Sequence, residues 1–111
     1  MSDVVVRTSI LTLPPERLAE AEAILVTAED DLRGILDLSG LIAYFAGVDR
    51  QRSQLIIVSF WNTVDEAEQM STFQPMLDLA QRLTPLGATF LRPIPNFETV
   101  WHWGNLTPAT T

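Results

Sequence analysis

Two apolar stretches, LIAYFAGV at 41–48 and LIIVSFW at 55–61, constrain this chain more than any other feature. The polar loop DRQRS at 49–53 separates them and reads as a hairpin connection. A strand with one face in water alternates apolar with polar residues. These two are apolar at both parities, so both faces of the sheet they form must be covered. Helices cover one face. A second copy of the same sheet is the simplest cover for the other. Each outward Leu, Ile or Phe buried that way contributes roughly 1.5–3 kcal/mol. A homodimer with its sheets face to face is therefore expected.

The flanking segments supply the rest of the topology. VVVRTSILTL at 4–13 is β-branched, stops at Pro14-Pro15 and reads as a strand. Pro15 suits the first turn of a helix. Leu18, Ala21, Leu25, Ala28, Leu32 and Leu36 then recur at helical spacing, and the helix is expected to end near Gly34 or Gly40. Thr63-Val64-Asp65-Glu66 matches a capping box, so a helix is expected from there through Met70, broken or restarted at Pro75. The stretch 84–96 carries Pro85, Gly87, Pro93 and Pro95 and reads as irregular. FETVWHW at 97–103 alternates and reads as a last strand. The order β, α, β, β, α, β is the α+β, ferredoxin-like split arrangement with an antiparallel sheet. It forms one domain over 1–103, followed by a flexible C-terminal tail at 104–111.

Several function classes fall away. The chain has 111 residues, a net charge of −7 and no cysteine. No thiol nucleophile, disulfide framework or thiolate metal site is available. The seven basic residues are all arginine and are scattered along the chain. An acidic chain without a basic stripe is repelled by phosphate backbones and anionic lipid, so neither nucleic acid nor membrane is an expected partner. With no signal peptide and no spanning segment, a cytoplasmic location is expected.

The junction SFWNTVDEAEQM, the later STFQPML segment and the final FETVWH resemble the antibiotic biosynthesis monooxygenase family. The resemblance spans roughly residues 4–103. It implies a dimeric α+β barrel with an apolar pocket between sheet and helices. Some members of that family oxidise polycyclic aromatic phenols with molecular oxygen, using neither metal nor cofactor. Others degrade haem, through residues this chain lacks: no asparagine in the first strand, no tryptophan at Met70 or Phe73, no histidine in QPMLDLA. The resemblance thus implies a cofactor-independent monooxygenase acting on a small electron-rich aromatic. The rival is a non-catalytic barrel that binds a small molecule or serves in stress.

The candidate residues each carry two readings. Trp61 is either a core anchor for its strand or a pocket wall that stacks on a planar ligand. Asn62 is either a turn residue beside the helix start or, with Thr63 taking the cap, a ligand contact and aid to deprotonation. His102, the lone histidine, is either a half-exposed strand residue or the general base for a phenol. Tyr44 is the only tyrosine, and its hydroxyl needs Ser9, Ser59 or a ligand as partner. Ser59 shares a face with Trp61 by strand parity, and Arg7 shares one with Ser9, where it would hold an anionic oxygen. Phe73 and Met76 complete the expected lining. LRPIPNF at 91–97 is expected to fold over the pocket mouth, closing it if the pocket is filled from within.

Overall fold

A computed structural model describes residues 4–104. The first strand, β1 (Val5–Thr12), leads through a single 3-10 turn at Pro15–Arg17 into α1 (Leu18–Thr27). The hairpin pair β2 (Leu41–Asp49) and β3 (Gln54–Trp61) follows. Next come α2 (Val64–Ala67), a 3-10 turn (Glu68–Thr72), α3 (Gln74–Leu83), β4 (Thr89–Phe90) and β5 (Asn96–Glu98). The sheet order is β2-β3-β1-β4, with β5 also on β1. The pairings of β1 with β3, β4 and β5, and of β2 with β3, are all antiparallel. This is the expected ferredoxin-like arrangement.

Strand parity explains the layering. Leu55, Ile57, Ser59 and Trp61 of β3 are all buried, while Gln54, Ile56, Val58 and Phe60 between them are half-buried. The first set faces the helices. Leu55 and Trp61 of it join Val5 and Leu11 of β1 and Leu79 and Leu83 of α3 in the main core. The second set faces outward beside Ile10 of β1 and Phe45 of β2. Phe45 is 57 % exposed, and its ring meets Phe60 edge-on at 5.9 Å between centroids.

Two elements differ from expectation. The helix predicted to reach Gly34 stops at Thr27, and a separate 3-10 turn at Arg33–Asp37 carries the stripe onward. Glu29, Asp30 and Asp31 sit where the helix C-terminus would be, and negative charge there opposes the helix dipole. The last strand is displaced as well. Thr89–Phe90, within the stretch read as irregular, pairs with β1, and the second pairing is Asn96–Glu98 rather than 97–103. Pro93 and Pro95 remove two donors between them. The ladder closes where Thr99 N–H donates to Val4 O, so Trp101-His102-Trp103 lies past the paired length of β1. The tail beyond Gly104 lies outside the described residues.

The helix start has the first half of the expected capping box, and Glu66 reaches back to the Thr63 hydroxyl rather than to its backbone N–H. Thr63 Oγ1 accepts from Glu66 N–H at 3.1 Å and donates to Glu66 Oε1 at 3.1 Å. Thr63→Ala is expected to cost about 1 kcal/mol in chemical denaturation, and Thr63→Ser to restore most of it. The same carboxylate accepts from Ser39 Oγ at 2.9 Å and packs on Gly40, where φ is +79°. A side chain on Gly40 would collide with Glu66. The bend entering β2 and the start of α2 therefore lock each other in place.

Candidate active site

A cavity of about 470 Å³ lies between the helix-facing side of the sheet and the segment running from Glu68 through α3. Leu11, Ile57, Leu79, Leu83 and Phe90 make its apolar body, and Met70 and Met76 line it from the helical side. Its polar groups gather on the strands and along the mouth.

Arg7 projects into it from β1. The residue is only 6 % exposed. Its guanidinium donates to Asn96 Oδ1 at 3.3 Å and to Ser71 Oγ at 3.4 Å, and Glu68 Oε2 stands 4.0 Å away. Asn96 Nδ2 in turn donates to Glu68 Oε1 at 2.8 Å. A buried cation is thus held by one half-exposed carboxylate and two neutral groups. Desolvation pulls the Arg7 pKa below its ordinary value, Glu68 counteracts this, and Arg92 adds to the lowering. Arginine starts so high that it remains charged.

Arg92 supplies a second cation at the mouth. Its guanidinium carbon sits 5.3 Å from the centroid of the Phe90 ring, a cation–π distance. The other six arginines each have a carboxylate within 4.0 Å. Among the described residues Arg92 is the exception. Two arginines and one carboxylate therefore line the cavity, which attracts anions although the chain is acidic.

Tyr44 and Ser59 face the cavity from β2 and β3 and are paired in register. The Tyr44 hydroxyl donates to Met76 Sδ at 3.5 Å, and thioether sulfur is a weak acceptor that a ligand oxygen readily replaces. Burial raises the Tyr44 pKa well above its ordinary value of 10, and Arg7 only partly offsets this. The phenol is a neutral donor, not a base. The sign follows from linkage: a pKa raised by folding contributes stability that is full below about pH 10 and is lost as pH rises toward the folded value. Unfolding midpoints above pH 10 should fall less steeply in Tyr44→Phe than in the wild type.

The structure separates the expected site residues. Arg7, Tyr44, Ser59 and Met76 line the cavity together. Trp61 does not. It is fully buried, and its Nε1 donates to Ser59 Oγ at 2.8 Å, so it stands behind the cavity and orients a residue that lines it. Phe73 packs its ring over Gly34, away from the lining. Asn62 closes the end of the hairpin through its backbone N–H to Gly40 O at 3.0 Å and lies outside the lining. His102 is exposed beyond β5 and does not reach the cavity, because the strand expected to carry it inward ends at Glu98.

Four polar residues of the site were not anticipated: Glu68, Ser71, Arg92 and Asn96. Arg92 and Asn96 belong to the proline-rich segment, which does fold along the cavity as expected but leaves it open. Glu68 lies only two residues beyond the capping Glu66, and without the tertiary fold it looks like any acid on a solvated face.

This architecture has counterparts among solved structures. A Deinococcus radiodurans protein assigned as an antibiotic biosynthesis monooxygenase superposes with a TM-score of 0.68 over 93 % of this chain and 99 % of its own, at 16 % identity. The chain has the fold of the antibiotic biosynthesis monooxygenases. A Caulobacter crescentus protein with the same assignment gives a TM-score of 0.67 at 11 % identity, over 90 % of this chain and 92 % of that one. An asparagine-to-alanine variant of SnoaB, a cofactor-independent oxygenase from Streptomyces nogalater, gives 0.64 at 16 % identity, over 91 % and 97 %. No family model and no curated protein matches the sequence. Among the described residues, no helix is long and apolar enough to cross a membrane.

Proposed function

We infer that the chain is a cofactor-independent monooxygenase of electron-rich aromatic compounds that bind as anions, polycyclic phenols of the anthrone type being the class of choice. The observation that carries this reading is the placing of two arginines, Arg7 and Arg92, against the apolar body of a cavity of about 470 Å³. That combination suits a flat hydrocarbon with one ionised oxygen. The likeness to SnoaB supports the oxygen chemistry.

The chemistry needs little from the protein. Arg7 and the neutral Tyr44 hydroxyl stabilise the oxyanion of the bound ligand, and Glu68, the carboxylate in the lining, takes the proton lost from the reacting carbon and passes it to the departing oxygen. The electron-rich ring carbon then reduces dioxygen. One oxygen atom stays on that carbon as a carbonyl, two hydrogens leave it, and the second oxygen departs as water. The half-buried apolar outer face, with Phe45 and Phe97 half-exposed on it, supports a homodimer formed through sheet faces.

Oxygen uptake with an anthrone tests the reading directly. Consumption of one dioxygen per quinone formed, without added metal or cofactor, is the expected result. Binding should tighten as pH rises through the pKa of the ligand phenol, with no inflection from Tyr44. Tyr44→Phe is expected to weaken binding about 3–10-fold, the loss of one neutral hydrogen bond, with little change in thermal midpoint near neutral pH. Saturable binding of the phenolate with no oxygen consumed would move the protein to the non-catalytic binding class.

A further inference from the structure

We propose that Asn96 and Ser71 are positioning residues that hold Arg7 and Glu68 apart as an open ion pair, so that the cation serves the ligand oxyanion while the carboxylate stays free to take a proton. The roles of Arg7 and Glu68 rest on the phenolate reading of the cavity, whereas the spacing of the pair does not.

The four side chains form a closed ring. Arg7 Nη1 donates to Asn96 Oδ1 at 3.3 Å, and Asn96 Nδ2 donates to Glu68 Oε1 at 2.8 Å. On the other side Arg7 Nη2 donates to Ser71 Oγ at 3.4 Å, and Ser71 Oγ donates to Glu68 Oε2 at 3.3 Å. Each neutral group thus accepts from the cation and donates to the anion. An amide and a hydroxyl can do both, which neither a carboxylate nor an alkyl side chain can. An unspaced arginine–carboxylate pair closes to about 2.7–2.9 Å, often as a fork. Here Arg7 Nη1 and Glu68 Oε2 stand 4.0 Å apart. The guanidinium gives one N–H to each spacer and keeps its other donors for a ligand.

Backbone geometry places both spacers. Asn96 opposes Arg7 in the register of β5 on β1, and the neighbouring Thr8 N–H donates to Pro95 O at 3.1 Å. Cross-strand pairing therefore sets the amide beside the guanidinium. Ser71 follows Glu68 by three residues in the 3-10 turn Glu68–Thr72. Three residues per turn eclipse these two side chains, whereas an α-helix would rotate Ser71 about 60° away. The change from α2 to a 3-10 turn at Glu68 brings the hydroxyl over the carboxylate.

A closed pair would cancel the buried cation, and a ligand oxyanion would have to displace the carboxylate to reach it. The open pair presents both charges to one ligand at once.

Asn96→Leu removes one spacer and Ser71→Ala the other. Each should weaken phenolate binding about 3–10-fold and leave the matching methyl ether unaffected, because the guanidinium turns to Glu68. Ser71→Thr keeps a hydroxyl and should bind as the wild type does. Loss of a direct contact from Asn96 to the ligand would also weaken phenolate binding, and Glu68→Gln separates the two cases. In that background Asn96→Leu should leave phenolate affinity unchanged, since Arg7 has no carboxylate to close on. An equal loss in both backgrounds overturns the spacer role. Urea unfolding of the ligand-free protein tests the spacing itself. In a double-mutant cycle, the coupling between Arg7→Met and Glu68→Gln should be at least about 3-fold larger, as a ratio of unfolding constants, in Asn96→Leu than in the wild type. Ser71→Ala carries the same comparison should Asn96→Leu fail to fold. Unchanged coupling in the variant that folds overturns the proposal. A wild type that binds no phenolate while the coupling still grows would refute the phenolate site and uphold the spaced pair.

Discussion

Trp61→Ala is expected to lower the unfolding free energy by about 3–5 kcal/mol, the range for removing a fully buried tryptophan. Domains of this size have roughly 5–15 kcal/mol in total, so the variant should be partly unfolded near physiological temperature. The physical reason is position. Trp61 ends β3 with no solvent exposure, joins the main core, and donates its Nε1–H to Ser59. Trp61→Phe should retain most of the packing but lose that bond, at about 1 kcal/mol. Ligand affinity should change only as far as the Ser59 hydroxyl turns away. A cavity-wall tryptophan would behave the other way, with affinity falling and stability holding. Urea titration of the two variants beside a binding curve separates the cases, and a Trp61→Ala protein as stable as the wild type would refute the core assignment.

Arg7→Met should abolish most anion affinity, with a loss of roughly 10–100-fold for a phenolate, because a charge-assisted contact contributes about 1.5–3 kcal/mol. Stability should change much less than for Trp61→Ala. Methionine fills similar space, the burial cost of the guanidinium disappears, and Glu68 is exposed enough to regain water. Neutral aromatics of the same shape should bind Arg7→Met as well as they bind the wild type. Fluorescence titration with a matched phenol and methyl-ether pair measures both. Equal losses for the two ligands would show that Arg7 supports the cavity shape rather than the ligand charge. Arg7→Lys should recover only part of the affinity, since a point charge cannot keep Asn96 and Ser71 while also serving the ligand.

These two residues also mark how far the chain could be read. Trp61 and Asn62 stood out because they interrupt an apolar run, yet neither lines the cavity. Their conspicuousness came from the strand-to-helix corner, where one anchors and the other closes the hairpin. Arg7 was placed correctly with Ser9 by period-two alternation alone, because a strand leaves no freedom over which face a residue takes. Tyr44 and Ser59 met for the same reason once the hairpin register was set. His102 was misjudged because alternation in FETVWHW signals a strand only where a neighbour exists, and the paired length of β1 had run out at Val4.

Local pattern determined the order of elements, the capping of α2 at Thr63, the restart at Pro75 and the side of the sheet that carries the polar groups. Each depends on interactions a few residues apart or on the strict alternation of a strand. Tertiary structure alone decided which acid and which arginine reach the cavity. Glu68, Arg92 and Asn96 are separated from Arg7 by 61 to 89 positions; Glu68 meets it from the turn after α2, and Arg92 and Asn96 because the chain returns along β1 as β4 and β5. No periodicity encodes a meeting of that kind, since it depends on where a proline-rich segment crosses the sheet and not on the residues next to it.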